Sequence, residues 1–244
     1  MILLVDQSRI DDLKALTYKS DIYACRVECL LESYGLKYTF AQFHIQYDES
    51  GKPVSAIAKY YSDMTVYLTA NSNIPELAEF IECIGFGSIS SSKPIIPGIY
   101  REDEVIMKLD RSLLTRPCLP EGAQIITEPE LNEVYKLLSS CRESGFEVPQ
   151  YEDFIIDMSH KLRHSTALCT AVSYNGELAA FSMTVAQSIK CAVIGATAVK
   201  KQYRRRGLGS LCVKELCFRL PDRDIFIVRQ REKNLEFYTN AGFC

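Results

Sequence analysis

Residues 198–210 read Ala198-Val-Lys-Lys-Gln-Tyr203-Arg-Arg-Arg-Gly207-Leu-Gly209-Ser. This junction of a predicted strand and a predicted helix constrains the chain more than any other segment. The strand, 191–199, is a run of small and β-branched residues, and the helix, 208–219, has apolar side chains at helical spacing. Such a junction leaves the first backbone N–H groups of the helix without partners and sets the positive end of the helix dipole beside them. Gly207 and Gly209 let the backbone come close to an anion. Ala198, Val199, Arg204, Arg205, Arg206, Gly207, Leu208, Gly209 and Ser210 are therefore candidates for a pyrophosphate cradle, with Lys200 and Lys201 adding positive charge. The plainer reading of a basic turn is a solvated surface. The segment is not a P-loop, because no Gly-Lys-Ser/Thr occurs. It is not a dinucleotide fingerprint either, since a third glycine and a parallel βαβ context are missing.

The rest of the second half reads as a strand at 123–126 and a helix opened by a capping box, Thr127-Glu-Pro-Glu130, and running to about Cys141. A loop with Gly145 and Pro149 follows, then a helix at 151–164. Strands at 167–174 and 178–185 are joined by Asn175-Gly176, the strongest short hairpin signal. After the 208–219 helix come a strand at 224–228 and a helix at 233–241.

The first half predicts helical material up to Gly35, then strands at 42–47, 54–61 and 64–70. A helix capped by Asn73, with Pro75 and Glu76 in its first turn, and a strand at 88–91 complete it. Four of the nine prolines fall within 92–123, with one strand, 104–109, between them. The expected domains are an α/β domain at 1–112, a linker at 113–122 and a second domain at 123–244. Both halves run helices, antiparallel meander, helix, strand, which suggests a duplication, although no residue-level repeat accompanies it.

Arg204-x-x-Gly207-x-Gly209 resembles motif A of the GNAT family of N-acetyltransferases, with Val199 four residues before Tyr203 as the usual strand-end valine. Some thirty residues on, Asn234-Leu-Glu-Phe237-Tyr238 followed by Gly242-Phe243 looks like the family's motif B. The resemblance covers 123–244. It implies an α/β (α+β) fold in two domains. The C-terminal one would be a GNAT fold, with a mixed, mostly antiparallel sheet flanked by helices, and the N-terminal one a degenerate GNAT-like repeat. It further implies acetyl-CoA as co-substrate, its pyrophosphate on the 204–210 loop and its pantetheine along an exposed edge of strand 191–199, which would splay from strand 224–228. Asn234 would contact the cofactor, and Tyr238 would stand near the sulfur as the catalytic residue.

Acyl transfer from a thioester expels a thiolate whose acid has a pKa of about 8.5, which a tyrosine hydroxyl can protonate. An attacking primary amine, with a pKa of about 10.4, must lose a proton first. Glu177 and Glu236 are candidate bases only as carboxylates in the relevant half, and their plainer reading is surface charge. The acceptor would be a small-molecule or protein amine. The alternative is a non-catalytic acyl-CoA-binding sensor or scaffold, and a third reading is an aminoacyl-tRNA-dependent transferase. A net charge of −3 argues against nucleic acid and anionic membranes as partners. Family members continue past the Gly-Phe of motif B with further strands, so here the N-terminal half or a second subunit, in a homodimer, would cover the sheet, or an exposed edge would remain.

The first half lacks a cofactor loop. Where one would stand, the chain reads Ala70-Asn-Ser-Asn-Ile-Pro75-Glu76, with no glycine and no cation. Phe40, Phe43, Tyr47, Tyr60, Tyr61 and Tyr67 read as sheet-packing aromatics. His160 and His164 are one helical turn apart, but with Lys161 between them they are not HExxH, and no third ligand is evident, so no metal is expected. The ten cysteines contain no CxxC and read as buried free thiols. The amino terminus lacks the features of a signal peptide, and the expected location is the cytoplasm.

Overall fold

The structure, a computed structural model, describes residues 1–99, 104–142 and 148–244, so Gly145 lies outside the described residues. The chain divides into two compact units, Met1–Glu102 with Gln187–Cys191, and Asp103–Ala186 with Ala192–Cys244.

In the first unit, β1 (Ile2–Leu4), α1 (Ile10–Thr17), α2 (Ile22–Tyr34), β2 (Ala41–Tyr47), β3 (Pro53–Tyr60), β4 (Asp63–Leu68), α3 (Ile74–Ile84) and β5 (Ser88–Ser91) follow in order. The sheet order is β1-β2-β3-β4-β5. Its pairs are antiparallel except β4–β5, which is parallel and connected through α3, as a parallel pair requires. Asp21 caps α2 by accepting from the N–H groups of Tyr23 and Ala24, and Gly35 ends that helix at φ 60°. Strand alternation divides the core. Ala56 and Ala58 of β3 pack with α1 and α2, while Ile57 packs with Leu77 and Ile81 of α3. Phe43 and Tyr47 are buried sheet residues as expected. Tyr61 is not. It sits in the β3–β4 turn at φ 53°, 63% exposed, with its ring stacked on Phe40.

The second unit contains β6 (Glu104–Lys108), β7 (Ala123–Ile126), α4 (Leu131–Ser140), α5 (Tyr151–Arg163), β8 (Cys169–Tyr174), β9 (Glu177–Gln187), β10 (Cys191–Val199), α6 (Leu208–Phe218), β11 (Asp224–Gln230) and α7 (Leu235–Asn240). The sheet order is β6-β11-β10-β9-β8-β7. From β7 to β11 this repeats the plan of β1 to β5: an opening strand, two helices, a three-strand meander, then a helix leading to a last strand beside the meander. Asn175 and Gly176 form the β8–β9 turn, both at positive φ, as the hairpin signal requires.

Three local expectations change. Thr127 does not cap α4, which starts at Leu131 behind Glu130 with no side-chain cap. A helix begun at Thr127 would need helical geometry at Glu128, and Pro129 disfavours that in the residue before it. Strand 104–108 was grouped with the first domain, but β6 pairs antiparallel with β11, Ile227 opposite Met107. Met107 and Leu109 then bury themselves with Leu216, Ile227 and Phe243. The edge of β11, the reason for invoking a second subunit, is thereby covered. Finally, β10 lies between β9 and β11, so it is an interior strand and not an exposed edge.

Candidate functional site

The site is built around the end of β10. On β8 and β9, Ala171 and Phe181 pack with α4 and α5, while their neighbours Val172 and Ala180 pack with α6, as strand alternation demands. On β10 the alternation breaks. Ala192 and Ile194 join the α6–α7 core, whereas Ala196 and Ala198 join the α4–α5 core. Residues of one parity cannot change faces in a regular strand, so β10 carries a bulge between Ile194 and Ala196. Gly195 stands there, and a Cβ on it would overlap the Val185 side chain. Gly195, Ala196 and Thr197 are half-buried in a strand flanked on both sides, so the covering is incomplete at this level.

Past Val199 the chain makes a 3₁₀ turn, Lys201–Tyr203, then passes through Arg204, Arg205 at φ 63° and Gly207 at φ 76°. Gly207 is the N-cap of α6 and offers no side-chain cap. The first turn holds no acidic residue, and the first intrahelical bond is from Leu211 N–H to Gly207 O. The amides of Leu208, Gly209 and Ser210 therefore point out of the helix end. No atom lies within 4 Å of where a Gly207 Cβ would stand. Leu208 and Gly209 are buried, Ser210 is half-buried, and Arg204, Arg205, Arg206 and Gly207 are exposed.

The basic cluster is less uniform than the sequence suggests. Lys200 pairs with Glu177 at 2.7 Å, Arg204 Nε donates to Val199 O at 3.1 Å, and the Arg206 guanidinium lies over the rings of Tyr174 and Tyr203. Glu177 also accepts from the Tyr203 hydroxyl, and these two partners lower its pKa. A carboxylate so held is a weaker base, which counts against Glu177 as the group that takes the acceptor's proton.

Asn234 is the N-cap of α7, in the left-handed region at φ 62° and exposed. Tyr238, one turn into α7, is 7% exposed and edge-on to Phe237 and Phe243. Burial raises its pKa, and the nearby Thr197 side chain offsets part of that rise. Thr197 Oγ1 is in turn 2.8 Å from Ser182 Oγ. Nothing in the sequence singles out Thr197 or Ser182, because a hydroxyl in an apolar strand carries no motif.

The His160 and His164 rings are 4.4 Å apart on α5, and among the described residues no group of three metal-ligating side chains occurs. None of the ten cysteines is disulfide-bonded. Seven are buried, while Cys83, Cys118 and Cys244 are exposed. In the first unit the segment before α3 is closed by Gln46. Its amide exchanges hydrogen bonds with Asn73 N and O and also meets Ser55 and Glu76.

The family model described as "Acetyltransferase (GNAT) family" matches residues 131–243. Comparison with curated proteins gives no match. Among solved structures, a tandem GNAT protein from the clavulanic acid biosynthesis pathway is 14% identical, with a TM-score of 0.63 over 100% of this chain and 94% of that one. A GCN5-related N-acetyltransferase from Sphaerobacter thermophilus is 14% identical, with a TM-score of 0.61 over 100% and 91%. A GNAT-family acetyltransferase from Colwellia psychrerythraea is 11% identical, with a TM-score of 0.59 over 100% and 96%. At such identities the likeness speaks to the fold alone. Residues 131–243 therefore form a domain of the GNAT acetyltransferase family, in a chain with the tandem GNAT fold whose N-terminal half is GNAT-like.

Proposed function

We propose that this chain is an acetyl-CoA-dependent N-acetyltransferase acting on a primary amine, in a small molecule or a protein, by direct attack on the thioester. The observation that carries the reading is the uncapped start of α6. Three outward amides, a glycine at positive φ with open space where its Cβ would stand, and no acid in the first turn fit a pyrophosphate. The equivalent segment of the first half, stitched by Gln46 and bearing Glu76, does not fit one. The second half alone would bind the cofactor.

The amides of Leu208, Gly209 and Ser210 would hold the pyrophosphate, with Arg204 and Arg205 beside it and Asn234 at the start of α7. Acetyl-CoA supplies an activated acyl group on a thiol leaving group. Tyr238 supplies the proton the departing sulfur needs, and its burial keeps the phenol protonated at neutral pH. The half-buried stretch Gly195–Thr197 supports a passage to Tyr238 beside β10. No described helix is long and apolar enough to cross a membrane, and the net charge is −3, which suits a cytoplasmic enzyme without nucleic acid or membrane partners.

The alternative, a non-catalytic acyl-CoA sensor or scaffold, draws its support from Glu177, which is engaged by Lys200 and Tyr203 and so a weaker base. Calorimetric titration with acetyl-CoA separates these readings from a relic fold. Saturable binding by the wild type that is lost in Gly207→Glu supports the cofactor site, and release of free CoA in the presence of a panel of primary amines then supports the enzyme. No binding by the wild type would end both readings.

A further inference from the structure

Val199, the last residue of β10, holds the loop that follows it at both ends. Its carbonyl oxygen accepts from Arg204 Nε at 3.1 Å and from Cys141 Sγ at 3.6 Å. Its side chain abuts Gly209, where an added Cβ would lie 3.0 Å from Val199 Cγ2. Arg204 opens the 204–210 segment and Gly209 lies in the first turn of α6, so one strand-end residue fixes where the segment enters and where it leaves. The backbone between them is not relaxed. Arg205 stands at φ 63°, in the left-handed region that a side chain disfavours, and Gly207 at φ 76°. No side chain caps the helix start. On the strand side, Tyr203 N–H donates to Lys200 O at 2.9 Å, and Arg204 N–H donates to Lys201 O at a longer 3.4 Å. The Arg204–Val199 bond therefore closes a ring around the 3₁₀ turn directly before the strained residue. It also turns Arg204 back onto the strand. Arg206 lies over the rings of Tyr174 and Tyr203, which leaves Arg205 as the arginine of the three that no contact holds among the described residues.

We propose that Arg204 is a positioning residue: its Nε–H, bound to Val199 O, holds the loop in the shape that turns the amides of Leu208, Gly209 and Ser210 outward. The attraction for the pyrophosphate then comes from those amides and from Arg205, not from the Arg204 charge. The consequence for affinity rests on the reading of this loop as the pyrophosphate cradle.

The test compares Arg204→Gln with Arg204→Met in the full-length protein. Arg and Gln both carry a nitrogen at the ε position, whereas Met ends there in a methyl group. Both variants lose the charge, and only Gln keeps a donor for Val199 O. Without cofactor, hydrogen exchange is followed by NMR at the amides of Tyr203 and Leu211, which donate to Lys200 O and Gly207 O. Exchange is expected to be about fivefold faster in Arg204→Met than in Arg204→Gln, the worth of one hydrogen bond. In calorimetric titration, acetyl-CoA is expected to bind about fivefold more weakly to Arg204→Met than to Arg204→Gln. Equal exchange in the two variants overturns the proposal whether or not acetyl-CoA binds. Equal affinities overturn it as well, and if both lie well below wild type, charge is what Arg204 supplies. No binding of acetyl-CoA by the wild type overturns instead the reading of the loop as a cradle, and the exchange comparison then still decides whether Arg204 holds the loop.

Discussion

Gly209, in the first turn of α6, faces Val199 at the end of β10 so closely that a Cβ on it would lie 3.0 Å from Val199 Cγ2 and 3.4 Å from the Phe237 ring. The second glycine of the loop is therefore a packing residue that draws the helix start onto the strand, whereas Gly207 serves the open side. Gly209→Ala gains helix propensity of about 1 kcal/mol, but it pushes a methyl into a β-branched neighbour, an overpacking of about 1–3 kcal/mol. The expected net effect is a loss of about 1 kcal/mol. A double-mutant cycle with Val199→Ala, read by urea denaturation, should give a coupling of about 1 kcal/mol, because the smaller residue opens the space. Strictly additive values would mean that the two residues do not press on each other.

The elements of both units were legible because their signals are local. Asn73 caps α3 through Glu76 N–H, Gly35 ends α2, and Asn175-Gly176 turns at positive φ, each as the residue type demands. Where the sequence misled, tertiary structure decided. The Thr127 signal matches a capping box in composition, yet Pro129 sets the backbone against it. The destination of β6 depends on the edge that β11 offers, which no local pattern encodes. In the 204–210 loop the exposed arginines and the uncapped helix start at Gly207 were legible from the residue types. The hydrogen bond between Thr197 and Ser182 was not, since it depends on a bulge that reverses the facing of β10.

Gln46 is fully buried, and both ends of its amide are used. Nε2 donates to Asn73 O at 2.9 Å and to Glu76 at 2.7 Å, while Oε1 accepts from Asn73 N at 3.0 Å and from Ser55 Oγ at 3.0 Å. Gln46→Leu keeps the volume and strands these partners, at about 1–3 kcal/mol for each that stays buried and unpaired. Stability should fall by about 3 kcal/mol, seen as a lower urea midpoint at unchanged m-value. CoA affinity should not change if, as proposed, only the second half binds the cofactor. A loss of CoA binding in the folded variant would contradict that assignment.

His44 on β2 makes the first unit acid-sensitive. Its ring packs edge-on to Phe80, and Nδ1 is buried with no hydrogen-bond partner among the described residues. Burial, assisted by the charge on Lys59, lowers its pKa from 6.5 to about 4. The unfolded chain therefore binds the proton first. This contribution to stability is intact above pH of about 6.5 and is lost as pH falls toward about 4, by about 3 kcal/mol in all. Urea denaturation at pH 7.5 and 4.5 should show the wild type losing about 2–3 kcal/mol more than His44→Leu. Equal losses in the two proteins would mean that His44 is protonated without penalty in the fold.

β6 predicts where the second unit can be cut free. Its pairing with β11 closes an edge, and Met107 and Leu109 are 5% and 6% exposed in the core that also holds Tyr238. The last residues depend on the same segment, since Lys108 and Cys244 exchange both backbone hydrogen bonds and Asp110 N–H donates to Gly242 O. A fragment that starts at residue 123 would lose these bonds, about 1.5–3 kcal/mol for each of the two apolar side chains, and the cover over an unpaired strand edge. The prediction is that fragment 104–244 gives a cooperative thermal transition, whereas fragment 123–244 aggregates or melts without one. Because α7 is held through Gly242 and Phe243, CoA affinity should fall in step with that loss of order. Two fragments of equal stability would mean that β6 rests on the sheet without supporting it.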